Sequence, residues 1–396
     1  MLIKLFRFHF LPIITALILT FLVVYLISMS HGEESVTEVI SVSGVQEKHR
    51  GKYANLLAGD QSEIDLFASI KNANQLTIFG SSELSLTPYA SYHFLPDSMG
   101  LAVMGFGHAY HQNLSILMEL LAAKEYLKGA DICIVLSPGW FTTNGTNVEA
   151  FIEFARPNLL NKLLFDSTIS ENYKKHVGRF IHNHYTKING VTSTMDGLRN
   201  LYLDQTKNVI DGSRLKLMQA LIGKRPLINT IYSVTTKKDS LSTNWDGSFE
   251  ISKKRLQSEF VSAITNNDIY VYDEYFSKYV VKQDGTFQKR PVVKIELEGS
   301  EEYTDFLLVL EFLHENNVNA SFIIQPFNPY FYTGTEEYQE VIDQIESDIQ
   351  NLGFPYLNMY VANKEDYVPG TLKDVMHLGD FGWMTINEFL ISTYYE

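Results

Sequence analysis

The sequence has a single cysteine, Cys133, in a chain of 396 residues. One cysteine cannot form an internal disulfide, so the folded part of the chain depends on its hydrophobic core for stability. The net charge of −14 argues against nucleic acid as the main partner. There is no internal repeat, no low-complexity tract, no Cys/His cluster with metal-ligand spacing and no phosphate-binding Gly-rich loop. We therefore expect a globular protein without a metal or cofactor.

The composition is that of a folded protein. Hydrophobic residues make up 45% of the chain and aromatic residues 13%, which excludes disorder. The length is sufficient for one large domain, or two of medium size, with a substantial core.

The longest apolar run lies near the N-terminus. Residues 10–29 contain no charged residue, and their number matches the thickness of a bilayer. Two basic residues precede the run and two glutamates follow it, which places the N-terminus in the cytoplasm and the rest outside. The alternative is a cleaved signal peptide, but the run is long for one and no A-x-A site follows it. We predict an uncleaved membrane anchor at 1–30 and an extracellular domain.

Apolar periodicity predicts an α/β fold. Helices are predicted over 114–121, 303–315, 336–352 and from residue 382 onward, and five segments are typical of buried strands: 76–79, 101–104, 132–136, 320–324 and 355–360. Strands that alternate with helices indicate a five-stranded parallel sheet in a three-layer α/β/α sandwich. We divide the rest into a linker with a first helix at 31–75 and a domain at 76–396. This domain contains a largely helical insertion at about 141–300, which is too long for a simple crossover.

The insertion contains a locally basic segment. Residues 157–225 carry eleven Lys/Arg and five Asp/Glu, a net charge of +6 in an acidic protein. Such a segment suits an anionic partner, and Lys174, Lys175 and Arg179 are its candidate contacts. The alternative is that these charges are the solvated faces of ordinary helices.

The first candidate catalytic motif follows the first predicted strand. That strand ends at Gly80 and is followed by Ser81 and Ser82. Open α/β sheets place their chemistry just beyond the carboxyl ends of the strands, where turn N–H groups can hold a developing oxyanion. The alternative is that one of the serines only caps a turn or helix.

The second motif lies after the last predicted strand. Asp374 and His377 are three residues apart, a spacing that can bring a carboxylate to one imidazole nitrogen. The other nitrogen is then free to take a proton from a hydroxyl. Loops after the first and last strands can meet at one sheet edge, so Ser82, His377 and Asp374 form a candidate catalytic triad. The alternative is an ordinary loop histidine.

These two motifs carry a family resemblance. Gly80-Ser81-Ser82 resembles the first block of SGNH hydrolases, and Asp374-x-x-His377 resembles their last block. With the anchor and the stretches 106–113, 137–141 and 377–383, essentially the whole chain resembles the DltD family of D-alanyl-lipoteichoic acid biosynthesis proteins. There are two departures from the SGNH pattern: Ser81 stands where Gly-Asp-Ser has Asp, and 137–140 lacks the usual Asn. The oxyanion donors are then expected to be the backbone N–H groups of Ser82 and of a residue around Gly107.

The resemblance implies an SGNH/flavodoxin-like fold and D-alanyl transfer to lipoteichoic acid outside the membrane. Ser82 would be the nucleophile, His377 the base and Asp374 the orienting group, with a D-alanyl-enzyme ester as intermediate. The membrane-bound O-acyltransferase DltB and other pathway proteins would be partners, and the basic segment would contact the polymer. Alternatives are an esterase acting on cell-wall carbohydrate or D-alanyl esters, or a non-catalytic chaperone for an acyl carrier or polymer. Covalent labelling of Ser82 discriminates between enzyme and chaperone.

Overall fold

The computed structural model describes residues 52–54, 75–84, 87–107, 109–142, 145–188, 190–205, 244–282, 284–292 and 296–395. The predicted membrane anchor lies outside these residues, as does most of the predicted linker. Within the described ranges, no helix combines the length and the apolar character needed to cross a membrane.

A parallel sheet lies at the centre of the fold. Its strands in spatial order are β1, β3, β2, β4, β6 and β8, and two short strands, β5 and β7, pair with each other in a separate parallel ladder. The strands are β1 (Lys52–Ala54), β2 (Gln75–Gly80), β3 (Ala102–Gly107), β4 (Asp131–Leu136), β5 (Arg290–Pro291), β6 (Asn319–Ile324), β7 (Tyr332–Thr333) and β8 (Tyr356–Asn358). All five predicted strands are confirmed. The short edge strand β1 lies in the predicted linker and was not expected from the sequence.

Each central strand has one hydrophobic face toward each helical layer, because successive side chains alternate across a strand. Ile132 and Ile134 of β4 face one core cluster, while Cys133 and Val135 face the other. Cys133 is fully buried, and burial raises the pKa of its thiol to about 12. Both faces of the sheet are therefore covered by helices, as the unbroken apolar runs of the strands indicated.

Ten longer helices are described. They are α1 (Ser91–Met99), α2 (Asn113–Ala122), α3 (Val148–Phe154), α4 (Pro157–Phe165), α5 (Glu171–Asn183), α6 (Ser193–Tyr202), α7 (Phe249–Ser262), α8 (Glu301–Glu315), α9 (Gln339–Asn351) and α10 (Asp380–Tyr394). The four helices predicted in the domain outside the insertion are present, as α2, α8, α9 and α10, while the first helix predicted in the linker falls outside the described residues. Side-chain caps fix several helix starts: the Ser300 hydroxyl accepts from the Tyr303 N–H, and the Asn147 side chain accepts from two N–H groups of α3.

The described part of the predicted insertion is largely helical, as expected. Its helices α3 to α6 do not form a core of their own. Phe151, Leu163 and Phe180 belong to the same hydrophobic cluster as Ile134 of β4 and Phe322 of β6. Helices α3 to α6 thus extend one helical layer of the sandwich, whereas α7, also part of the insertion, packs through Leu256 in the core cluster on the other face of the sheet.

Candidate active site

The carboxyl ends of the central strands meet at one edge of the sheet. Gly80 pairs with Gly107 across β2 and β3, and Leu136 pairs with Ile324 across β4 and β6. The residues that follow these strands are therefore neighbours although they are distant in sequence. This is the edge at which open α/β sheets bind ligands.

The two serines after β2 lie in a tight turn closed by a hydrogen bond from the Leu84 N–H to the Ser81 carbonyl, 3.2 Å long. Ser81 is 3% exposed, whereas Ser82 is half-buried, so Ser82 is the more accessible of the two. No described residue forms a hydrogen bond with the Ser82 hydroxyl. The next described helix, α1, begins only at Ser91 with Ala90 as its N-cap, so neither serine caps it.

The second motif forms a self-contained loop before α10. The Asp374 Oδ1 accepts from the N–H groups of Met376 at 2.9 Å and His377 at 2.8 Å. The His377 Nδ1 lies 2.8 Å from Asp374 Oδ2 and 3.1 Å from Oδ1. The loop is joined to the segment after β6 by a 3.4 Å bond from the Asn328 N–H to the Val375 carbonyl. The predicted contact between Asp374 and His377 is therefore present, at the sheet edge.

The electrostatics of this pair favour an ionised carboxylate. Burial acts to raise the pKa of Asp374, but the hydrogen bond and charge of His377, with the two backbone N–H groups, outweigh burial and lower the pKa. An ionised carboxylate only accepts hydrogen bonds, so Nδ1 of His377 carries a proton. Its Nε2 is then the basic nitrogen when the ring is neutral, as proton abstraction from a hydroxyl requires.

A buried carboxylate, Glu83, connects the serine turn to the segment that follows β6. Its Oε2 accepts from the Ser81 N–H at 2.9 Å, and its Oε1 accepts from Gln325 Nε2 at 3.3 Å. The charge of His377 also acts on Glu83 and favours its ionised form. Burial raises the pKa of Glu83, although hydrogen bonds, including one from Ser137, and the His377 charge oppose this. Glu83 lies in a non-helical turn.

A buried histidine holds the end of β2 from the other side. His111 Nδ1 lies 2.9 Å from the Gly80 carbonyl oxygen, and its Nε2 lies 3.0 Å from Glu119 Oε2. Because a carbonyl oxygen only accepts, Nδ1 of His111 carries a proton and donates it to the Gly80 carbonyl. His111 lies in the stretch 106–113 that supports the family resemblance, but the sequence alone indicated no role for it. Its one visible signal was its position in a histidine-rich stretch just after a strand.

The geometry narrows the choice of oxyanion donors. Both N–H groups of the Gln325 amide are committed, to Glu83 and to Ser137, and the Asn328 amide donates to the Ile269 carbonyl. Gly107 lies directly against the serine turn: an added Cβ there would be 2.8 Å from the Gly80 oxygen and 2.9 Å from the Ser81 oxygen. The structure thus shows Gly107 beside the turn, and its role as a donor stays a prediction.

The three predicted polymer contacts occupy different environments. Lys174 is 5% exposed, and its ammonium donates to the Leu164 carbonyl at 3.2 Å and to the Asp166 carbonyl. Lys175 is paired with Glu171 and Asp204, and Arg179 contacts His176. This burial removes Lys174 from any contact surface.

Comparison with known proteins gives a consistent result. The family model described as "DltD protein" matches residues 61–395. Three relatives are each named "Protein DltD". That of Bacillus subtilis (strain 168) is 25% identical over 358 residues, covering 82% of this chain and 83% of the relative. That of Staphylococcus aureus (strain NCTC 8325 / PS 47) is 23% identical, covering 89% and 88%, and that of Lacticaseibacillus rhamnosus is 22% identical, covering 86% and 82%.

Proposed function

Because the chain belongs to the DltD family, we propose that it is a serine acyltransferase that adds D-alanyl esters to lipoteichoic acid. Family membership implies a role in the D-alanylation of teichoic acids in Gram-positive bacteria. The catalytic assignment depends mainly on one observation, the buried Asp374 carboxylate bonded to Nδ1 of His377 at the same sheet edge as Ser82.

In the proposed reaction, the Ser82 hydroxyl attacks the carbonyl carbon of an activated D-alanyl ester or thioester. An Oγ–C bond forms while the hydroxyl proton passes to Nε2 of His377. The bond between the carbonyl carbon and the leaving group then breaks, and the leaving group takes the proton from Nε2. A polymer hydroxyl repeats these steps in reverse: it gives its proton to His377, forms the new ester, and Ser82 recovers a proton.

Asp374 supports both steps without reacting. Its carboxylate fixes the Nδ1–H tautomer and stabilises the imidazolium that forms transiently. The hydrogen bond between Ser82 and His377 is part of the proposal, and such bonds are often long in enzymes without substrate. The backbone N–H groups of Ser82 and Gly107 are the proposed oxyanion donors, because the Gln325 amide donates to Glu83 and Ser137 and the Asn328 amide donates to the Ile269 carbonyl.

The proposed setting is the outer face of the cell membrane. Residues 10–29 would anchor the domain next to DltB, and tethering would raise the effective concentration of a membrane-bound donor. Esterase activity on cell-wall carbohydrate or D-alanyl esters is the alternative within the same mechanism, because water and a polymer hydroxyl attack the same acyl-enzyme.

The function is tested with Ser82→Ala, Ser81→Ala and His377→Ala in the full chain. We expect Ser82→Ala and His377→Ala to abolish both the D-alanine ester content of cells and labelling of purified protein by a fluorophosphonate. Ser81→Ala is the matched control and should keep labelling at Ser82. Wild-type ester content in the Ser82→Ala strain would refute the covalent mechanism.

Contact of the basic segment with the polymer is tested at Lys175, which is partly exposed and not part of the core. We expect Lys175→Glu to lower transfer to lipoteichoic acid more than hydrolysis of p-nitrophenyl acetate, and the difference to shrink at high salt as screening grows. If Lys175→Glu changes the rates with both substrates by the same factor, Lys175 belongs to an ordinary solvated helix face.

A further inference from the structure

We propose that Glu83 is a positioning residue that holds the serine turn in register with the ends of β4 and β6. The inference rests on the proposed function, because it assigns Glu83 a part in placing Ser82. Glu83 is ionisable, only 5% exposed and adjacent in sequence to the proposed nucleophile. Such a side chain is costly to bury and is retained only when it is well bonded.

The contacts of Glu83 span three strands. Within the turn after β2, its Oε2 accepts from the Ser81 N–H at 2.9 Å. Across the sheet edge, its Oε1 accepts from Gln325, which follows β6. The same Gln325 amide donates to the Ser137 hydroxyl, which follows β4, at 3.1 Å. The carboxyl group therefore connects the turn to two neighbouring strand ends.

The bond to Ser81 fixes the backbone on one side of Ser82, and Glu83 itself is on the other side. A displacement of the carboxyl would therefore move the Ser82 hydroxyl relative to His377. Misplacement of a reacting group by about 1 Å can cost about a hundredfold in rate. The effect should appear in the chemical step and not in ground-state binding.

Both carboxyl oxygens of Glu83 accept hydrogen bonds, so substitution by glutamine tests this hydrogen bonding with almost no change of shape. In Glu83→Gln one of these oxygens becomes an NH₂ group that faces an N–H donor. One hydrogen bond is lost and two donors are brought together, with almost no change of volume. The matched control is Glu302→Gln on α8. Glu302 is also fully buried and accepts at both oxygens, from Gln112 at 3.1 Å and from Asn113.

The experiment measures hydrolysis of p-nitrophenyl acetate by the full chain, with kcat expressed per serine titrated by a fluorophosphonate. We expect Glu83→Gln to lower this kcat by about 30- to 100-fold with KM changed by less than about threefold. Glu302→Gln should lower the melting temperature but keep kcat per titrated serine. A Glu83→Gln kcat within twofold of wild type would overturn the proposal.

Two further variants decide the question if Glu83→Gln does not fold. Ser137→Ala and Gln325→Ala each remove one partner of the network and should lower kcat per titrated serine by about five- to twentyfold. Wild-type kcat in both would overturn the proposal. Ser82→Ala separates the two hypotheses: its full activity would refute the serine mechanism, whereas an inactive Ser82→Ala with an unimpaired Glu83→Gln refutes only the role of Glu83.

Discussion

Substitution of Asp374 separates two functions that the structure assigns to one carboxyl group. Oδ1 accepts from the N–H groups of Met376 and His377 and so holds the loop, while Oδ2 makes the shorter contact, 2.8 Å, with Nδ1 of His377. The Asp374→Asn variant would keep an acceptor at Oδ1 but present an NH₂ group to Nδ1. The Asp374→Ala variant would lose both functions.

The two variants are therefore expected to rank differently: Asp374→Ala should lose more stability, whereas Asp374→Asn should lose at least as much activity. Asp374→Asn keeps both loop hydrogen bonds in neutral form, and we expect it to reduce the free energy of unfolding by about 1–2 kcal/mol. Asp374→Ala leaves two N–H groups without their acceptor, for a loss of about 3–5 kcal/mol. In catalysis asparagine should be at least as harmful as alanine, with a loss of about 10⁴-fold in kcat, because its NH₂ group selects the tautomer with Nε2–H.

Urea unfolding measures the first quantity, and hydrolysis of p-nitrophenyl acetate per titrated serine measures the second. The two variants are their own controls, since the more stable one is expected to be no more active. Asp374→Asn with more than a tenth of wild-type kcat would refute the tautomer argument. Equal stability of the two variants would refute the assignment of Oδ1 to the loop.

Three further predictions follow from close contacts and buried charges. Gly107→Ala would place its Cβ 2.7 Å from Leu84 Cδ1 and 2.8 Å from the Gly80 oxygen, so we expect kcat to fall by about 10²-fold, whereas at Gly139 the nearest atom is 3.4 Å away and alanine should be tolerated. Lys174→Met leaves two carbonyls without their donor and should cost about 1–3 kcal/mol in urea unfolding, whereas Lys175→Met, which removes only ion pairs with surface carboxylates, should cost clearly less. Burial, with the nearby Arg179 charge, lowers the pKa of His176 from 6.5 to about 4, so the native state binds fewer protons than the unfolded state in this window. His176 alone should contribute stability that grows by up to about 3 kcal/mol as the pH rises from 4 to 6.5, whereas the buried Asp305 that it contacts, whose pKa is raised by burial, contributes in the opposite direction. The difference between wild type and His176→Gln in urea titrations measures the His176 contribution.

The sheet and the Asp374–His377 pair were predictable because their signals are local. A strand such as β4 is a continuous apolar run, and Asp374 reaches His377 within one turn of backbone. Glu83 has no such local signal. Its partner Gln325 is 242 residues away, and only the parallel order of the strands brings the two together. In sequence, Glu83 is indistinguishable from a carboxylate at a helix start.

The basic segment shows a second limit of sequence reasoning, since charge counted along a chain does not reveal what each charge contacts. In α5, Lys174 points into the protein and binds carbonyl groups of the preceding helix and loop, and Lys175 is neutralised by two carboxylates. The Arg179 guanidinium donates to Nδ1 of His176, whose Nε2–H is then left to bind Asp305. Arg179 therefore belongs to a partly buried chain of hydrogen bonds that ends at the buried Asp305, and reversing its charge would disturb folding and surface potential together. Lys175 is the member of the three whose charge reversal reports on contact with an anion, because its side chain is partly exposed and its partners are surface carboxylates.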